Sequence, residues 1–212
     1  MAPTLYYTPI SCGMANFISA HKAGLIQSGK LNAEQVDLGK KVVLSGPKSG
    51  SDYLKINPKG NVPTIVFESG TIINENVATL IWIAEQNPEA KLLPAPGTEA
   101  RFVAISKLGW IATELHQTMG ALFNPNIGNE VKNYILAKLD TKLTYLNNIE
   151  LADGRKFLAA DGFTVVDAYS YIVLSWAQHL AVDLSKYERV QRYYEGIKDI
   201  ECVKKAHEAA NK

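Results

Sequence analysis

Cys12 ends the stretch TLYYTPISC and stands directly before GMANFISAHKAGL, so a thiol lies between a run of strand formers and a helix-like segment. In one reading it is a small hydrophobe near a helix start, as most free cysteines are. In the other, the amides and partial positive charge of the helix N-terminus favour the thiolate and make Cys12 a nucleophile. Position alone does not choose between them. Two further stretches carry chemistry. In GNVP, a cis Val62-Pro63 bond would turn the chain and leave the Val62 amide and carbonyl free to pair with an extended ligand. A plain trans edge proline is the commoner arrangement, cis accounting for about 5% of X-Pro bonds. In NEN, Glu75 and Asn76 fall at a helix start, where exposed amides suit a ligand carboxylate and the Glu75 carboxylate suits an ammonium. An α-amino acid head group carries both. The plainer reading is that Asn74 or Asn76 caps the helix and Glu75 favours its first turn.

These residues need elements to position them. TLYYT (4–8) reads as a strand and 13–25 as a helix closed near Gly24. EQVDL (34–38) is a second short strand, and GKKVVLSGPKSGSD after it is a surface loop. Residues 57–75 read as a hairpin about a Ser-Gly turn, and 75–87 as a helix with Val77, Leu80, Ile81 and Ala84 on one face. The order β-α-β-α-β-β-α is that of a thioredoxin-like α/β layer. LLPAPGTEA (92–100) breaks the pattern, which sets a first domain at 1–90, a linker at 91–97 and a second domain at 98–212.

The second domain reads as helix throughout. Phe102, Ile105, Leu108, Ala112, Leu115, Met119 and Leu122 recur every three or four residues and predict one long amphipathic helix carrying Trp110 and His116. Val131, Ile135, Leu139, Leu143 and Leu146 predict another. In FTVVDAYSYIVLSWAQHLAV, Thr164 and Asp167 form a capping box ahead of a segment apolar nearly all round, the mark of a central buried helix. Residues 186–210 add one or two closing helices.

Composition narrows the function classes. A net charge of +1 gives no sign of a nucleic-acid partner, and no stretch approaches the ~18 apolar residues of a membrane helix. The two cysteines, Cys12 and Cys202, lie near opposite ends of the chain and make no disulfide framework, so a soluble, reducing, cytoplasmic setting is expected. His21, His116, His179 and His207 form no cluster at metal-ligand spacing, and GxGxxG and GxxxxGK[ST] are missing, so no metal site and no phosphate loop is expected.

Taken together, LYYTP followed by cysteine, INPKGNVP, ATELH with LFNP after it, FTVVDAY and VDLS stand in the order and approximate spacing of the cytosolic glutathione transferases, and the chain resembles most their beta class. The resemblance runs over essentially the whole chain. It implies the glutathione transferase fold, an α/β thioredoxin-like N-terminal domain that binds glutathione plus an all-α C-terminal domain that helps form a second-substrate pocket, in a homodimer. It also implies roles. Cys12 matches the cysteine that faces the glutathione sulfur, Val62 the residue that pairs with the cysteinyl backbone, Pro63 the family's cis-proline and Glu75 the acid that holds the γ-glutamyl group. Asn76 stands at the serine of the acid-serine pair, His116 at a histidine of the second domain that reaches the site, and Tyr7 at a tyrosine catalytic in other classes. Lys40 or Lys41 matches a lysine near the glycyl end. Gly13 stands where the class often has serine, with Ser11 before Cys12 instead.

The resemblance implies an enzyme that conjugates glutathione, its co-substrate, to hydrophobic electrophilic small molecules. Cys12 adds a thioltransferase or disulfide-reducing component, because a cysteine at this place can be captured as a mixed disulfide, while Cys12, Ser11, Tyr7 or backbone amides are the candidates to govern the glutathione thiol in conjugation. A noncatalytic binding or regulatory module of the same fold is the alternative.

Overall fold

β1 (Thr4–Tyr7) is built of β-branched, aliphatic and aromatic residues, and from Leu5 onward its side chains are buried on both faces, as a central strand requires. It pairs in parallel with β2 (Asn32–Asp37) and antiparallel with β4 (Thr64–Val66), so that Leu5 lies opposite both Ala33 and Ile65. β3 (Val42–Val43) extends the β2 edge and β5 (Ile72–Ile73) the β4 edge, giving a mixed sheet in the order β3-β2-β1-β4-β5. The hairpin of β4 and β5 closes through a turn in which the Gly70 amide donates to the Phe67 carbonyl. The computed structural model describes residues 2–211.

α1 (Gly13–Lys22) crosses from β1 to β2 and packs against α2 (Asn76–Gln86). α2 buries Thr79, Leu80, Ile83 and Ala84, whereas the Val77 and Ile81 of the expected stripe are only half-buried. The helix expected between β2 and the hairpin does not form. Its place is taken by β3 and a single 3₁₀ turn (Tyr53–Lys55), because Gly39, Gly46, Pro47, Gly50 and Pro58 leave no uninterrupted helical stretch.

The chain divides into two compact units, Met1–Leu93 with Glu201–Lys212, and Pro94–Ile200. α9 (Glu201–Ala210) therefore corrects the expected second domain of 98–212: it packs on α1, burying Val203, Ala206 and Ala210, and the Gln35 Nε2 donates to the Ala210 carbonyl at 2.6 Å. An amphipathic pattern shows that a helix has a face to bury and is silent on what covers it.

In the second unit, α3 (Glu99–Trp110), a π-helical turn (Ile111–His116) and α4 (Gln117–Ala121) follow one another as the expected long helix. Its buried stripe is Arg101, Ala104, Leu108, Ile111, Leu115 and Met119, leaving Phe102 65% exposed and the predicted phase wrong at its start. α5 (Asn129–Tyr145) runs into a second π-helical turn (Leu146–Glu150). α6 (Val165–Ser175) is buried from Val165 to Leu174 and starts on the predicted capping box, the Thr164 amide donating to the Asp167 carboxylate at 2.9 Å. The same carboxylate accepts from the Leu158 amide and the Tyr193 hydroxyl. α7 (Ala177–Leu180) and α8 (Glu188–Lys198) complete the unit, α3 and α8 both packing on α6. No described helix is long and apolar enough to cross a membrane.

Candidate active site

The first unit gathers most of the predicted residues at the C-terminal end of β1. Its last residue, Tyr7, leads into a tight turn in which the Ser11 hydroxyl donates to the Thr8 carbonyl at 2.8 Å and accepts from the Gly13 amide at 3.1 Å. That double engagement makes Ser11 the clamp of the turn. The turn is tight at Gly13: an added Cβ would lie 3.1 Å from the Ser11 Oγ, 3.2 Å from the Tyr7 Cβ and 3.3 Å from its Cα, so a side chain there requires these neighbours to shift by a few tenths of an ångström. The turn thus delivers Cys12 to the head of α1.

The Cys12 thiol is buried and donates to the Val62 carbonyl at 3.4 Å. Burial pushes its pKa up to about 12 against the pull of the Cys12 and Gly13 amides, and the Glu75 carboxylate pushes in the same direction as burial. Of the two readings of this residue, the electrostatics favour a protonated thiol in the ligand-free protein, because desolvation outweighs the helix terminus. The Val62-Pro63 bond is cis, and the Val62 N–H has no acceptor among the described residues. One amide and one carbonyl of the same residue are therefore left for an extended ligand, the carbonyl held meanwhile by a thiol, which is a weak donor.

A polar hub that sequence reasoning missed holds this loop. The fully buried Asn57 donates through Nδ2 to the Asn61 carbonyl and to the Thr64 hydroxyl, and its Oδ1 accepts from the Asn74 Nδ2 at 2.9 Å. Tyr53 adds its hydroxyl to the Asn61 carbonyl at 2.7 Å, and Asn61 Nδ2 reaches the Asn74 carbonyl. One side chain thereby ties the loop presenting Val62 to the loop presenting Glu75. The only signal in the sequence is the asparagine-rich composition of INPKGNVP, which points to turns rather than to a buried amide.

Glu75 precedes α2 and is exposed, its carboxylate 2.6 Å from the Lys59 ammonium, a partner not foreseen from the sequence. Such an exposed pair contributes about 1 kcal/mol at most and is readily exchanged for a ligand ammonium. Asn76 opens α2 and accepts from the fully buried Asn16 Nδ2 at 2.6 Å. The Asn16 Oδ1 and the Asn76 Nδ2 are buried without partners. Of the two candidate lysines, Lys41 reaches this loop, its ammonium donating to the Gly60 carbonyl at 2.8 Å, whereas Lys40 has only its backbone amide engaged, in an Asp37 turn.

Tyr7 behaves differently. Its ring stacks on Phe17 with centroids 4.3 Å apart, its hydroxyl accepts from Gln35, and burial pushes its pKa up to about 12. Among the described residues, no hydrogen bond joins its hydroxyl to Cys12, whose thiol is engaged by the Val62 carbonyl. His116 belongs to the second unit, on the π-helical turn. Its Nδ1 lies 2.6 Å from the Tyr169 hydroxyl, its ring meets Trp176 edge-on at 4.9 Å, and burial lowers its pKa, keeping the imidazole neutral near pH 7. Phe123 packs on the same Trp176. Among the described residues, no three His, Cys, Asp or Glu side chains converge on a common point as metal ligands would.

Residues 111–201 match the family model described as glutathione S-transferase, C-terminal domain. The chain is 34% identical over 190 residues to glutathione S-transferase GstA of Escherichia coli O157:H7, covering 89% of each protein. Among solved structures it is similar to a sphingomonad glutathione S-transferase complexed with glutathione, with a TM-score of 0.88 at 31% identity over 98% of both chains. It is equally similar to a bacterial beta class enzyme from Sphingomonas chungbukensis, with a TM-score of 0.87 at 31% identity over 98% of both.

Proposed function

Because the chain belongs to the glutathione S-transferase family, as a beta class enzyme that uses glutathione as co-substrate, we propose that it conjugates glutathione to hydrophobic electrophilic small molecules, with a second, Cys12-dependent thiol–disulfide exchange activity. The observation that carries the reading is the Cys12 thiol set against the Val62 carbonyl, beside an unpaired Val62 amide. In this reading the cysteinyl backbone of glutathione pairs with Val62 as an added antiparallel strand. Glu75 releases Lys59 to take the γ-glutamyl ammonium, and Asn76 with the amides at the start of α2 takes the γ-glutamyl carboxylate. Lys41 serves the glycyl carboxylate, and Pro63 shapes the loop.

Conjugation requires the thiolate of glutathione as nucleophile. Cys12, itself protonated, is suited to turn its S–H from the Val62 carbonyl to that sulfur and favour the ionised form by hydrogen bonding. In exchange, the Cys12 thiolate attacks the glutathione sulfur of a mixed disulfide. The bond to the other sulfur breaks, that thiol leaves with the proton given up by Cys12, and a second glutathione thiolate then attacks the Cys12-bound sulfur, giving oxidised glutathione and restoring Cys12. Ser11 acts through the turn and Tyr7 through the core beneath it, and His116 lends a neutral, Tyr169-held imidazole to the enzyme.

The experiment is turnover of 1-chloro-2,4-dinitrobenzene and of a hydroxyethyl–glutathione mixed disulfide after purification on immobilised glutathione. Cys12→Ala is expected to abolish disulfide reduction while retaining part of the conjugating activity. Undiminished disulfide reduction in that variant would sink the exchange activity, and failure to turn over any electrophile would favour the noncatalytic module. A homodimer is part of the same proposal. It is supported by Phe102, Val103, Val131 and Tyr134, each more than half exposed on α3 and α5, and light scattering of the eluted protein tests it. A reducing, cytoplasmic setting would keep Cys12 and Cys202 as the free thiols they are here.

A further inference from the structure

Glu34, on β2, is only 4% exposed, and its Oε2 is buried without a hydrogen-bond partner. An ionised carboxylate in that position is costly unless a counter-charge or water reaches it. The titratable groups that face it among the described residues are Tyr6, opposite it in the β1–β2 register, through its hydroxyl, and Lys48, from the loop after β3. Tyr53, on the 3₁₀ turn, packs its ring against that of Tyr6 at 5.8 Å, and β3 brings only valines. No ion pair joins Lys48 to Glu34 among the described residues.

The loop that carries Lys48 closes over this carboxyl. A Cβ added at Gly46 would fall 2.7 Å from the Glu34 Cγ and Cδ, and the Gly46 φ of +74° is one that other residues resist. The cover is thin, since residues 46–50 are all exposed. Two hydrogen bonds hold its near end to β2, from the Leu44 amide to the Gln35 carbonyl at 2.7 Å and from the Gln35 amide to the Ser45 hydroxyl at 2.8 Å. β3 alone separates the cover from Lys41, whose φ of +56° is strained for a residue with a side chain. The Lys41 carbonyl accepts from the Tyr53 amide at 2.8 Å, and its ammonium donates to the Gly60 carbonyl. One short segment therefore links the buried acid to the loop that presents Val62.

We propose that the 44–52 loop is a pH-operated cover, down on a protonated Glu34 and lifted when the carboxyl ionises, and that lifting draws Lys41 off the Gly60 carbonyl and weakens glutathione binding. Lifting breaks the two bonds to β2 and lets water reach the bare Oε2 as the proton leaves to solvent. Burial raises the Glu34 pKa above its ordinary value and the Lys48 ammonium lowers it, so the cover is down on the acid side of that titration and up on the alkaline side. Glu34 is thus a positioning residue acting through Lys41, and this last link rests on the reading of Lys41 as the partner of the glycyl carboxylate.

The test follows the ¹³Cα shifts of Gly46 and Gly50 in the labelled full-length protein from about pH 4.5 to about pH 8.5, and measures the affinity for S-hexylglutathione at both ends. In the wild type the two shifts are expected to follow one titration curve, with the affinity falling about fivefold across it. Glu34→Gln, which imitates the protonated side chain, should keep shifts and affinity level. Lys48→Met, at an exposed position, should move the wild-type curve to higher pH by removing the cation that favours ionisation. Glycine shifts that stay level in the wild type, or that titrate alike in Glu34→Gln, would overturn the cover. Titrating shifts with an unchanged affinity would overturn its link to Lys41. Failure of S-hexylglutathione to bind at either pH would instead overturn the transferase reading, since the glycine shifts report the cover without it.

Discussion

The Cys12 thiol donates to the carbonyl of Val62, fifty residues further along the chain, at 3.4 Å. A buried thiol with its pKa pushed up to about 12 is almost wholly protonated at neutral pH, and only the thiolate alkylates. Alkylation of Cys12 by iodoacetamide in the ligand-free protein is therefore expected to accelerate about tenfold per pH unit from pH 7 to 10 without levelling off. Mass spectrometry of the Cys12 peptide separates it from Cys202. A plateau below pH 9 would show that the helix terminus outweighs burial after all.

Asn57 joins the two loops of the candidate site through one buried amide. Asn57→Ala strands the Asn61, Thr64 and Asn74 groups that it satisfies and is expected to cost about 3 kcal/mol of stability, measured by urea unfolding. The KM for glutathione should rise even where the variant remains folded, since Val62 and Glu75 lose their common tie. A variant with wild-type stability would show that water replaces the amide at no cost.

Asn16 and Asn76 share one hydrogen bond and leave one unpartnered polar atom each. Residues coupled in this way do not contribute additively. A double-mutant cycle of Asn16→Ala and Asn76→Ala is expected to give a coupling of about 1 kcal/mol. Both single variants should raise the KM for glutathione more than they lower kcat. Strict additivity in stability would mean that the contact carries no energy.

Much of the local structure was legible because its signals are local. The TLYY run, the Thr164–Asp167 box and the Ser69–Gly70 turn each carry their instruction within a few residues. Cys12, Val62 and Glu75 were singled out by residue type and spacing, and the fold brings them to one place. What was not legible depends on partners distant in the chain. Asn16 is a polar residue inside an apolar helix and takes its meaning from Asn76, sixty positions away. Phe102 reads as core by spacing, whereas α3 buries Arg101 instead, its guanidinium bonded to the Pro94 carbonyl. Tyr7 looked like a hydroxyl for the site, and Gln35 engages it.

Burial lowers the pKa of His21, His116 and His207. A base whose folded pKa lies below its unfolded value of about 6.5 takes up protons preferentially when unfolded, so its contribution to stability is full above pH 6.5 and is lost as the pH falls below it. Glu34 and Asp167, raised by burial, work in the opposite sense. The check is consequently a difference: between pH 7.5 and 5.5, the Tm of His116→Gln should fall less than that of the wild type. Equal slopes would show that His116 protonates as readily folded as unfolded.

The seat of α9 on α1 has a consequence for the order in which the molecule is made. The apolar faces of Val203, Ala206 and Ala210, and the Ala210 carbonyl that satisfies Gln35, are the last parts of the first unit to be synthesised. While a ribosome is still translating the helices of the second unit, the first waits with one flank of α1 uncovered. The second unit, contiguous from Pro94 to Ile200, is free to finish first although it is encoded later.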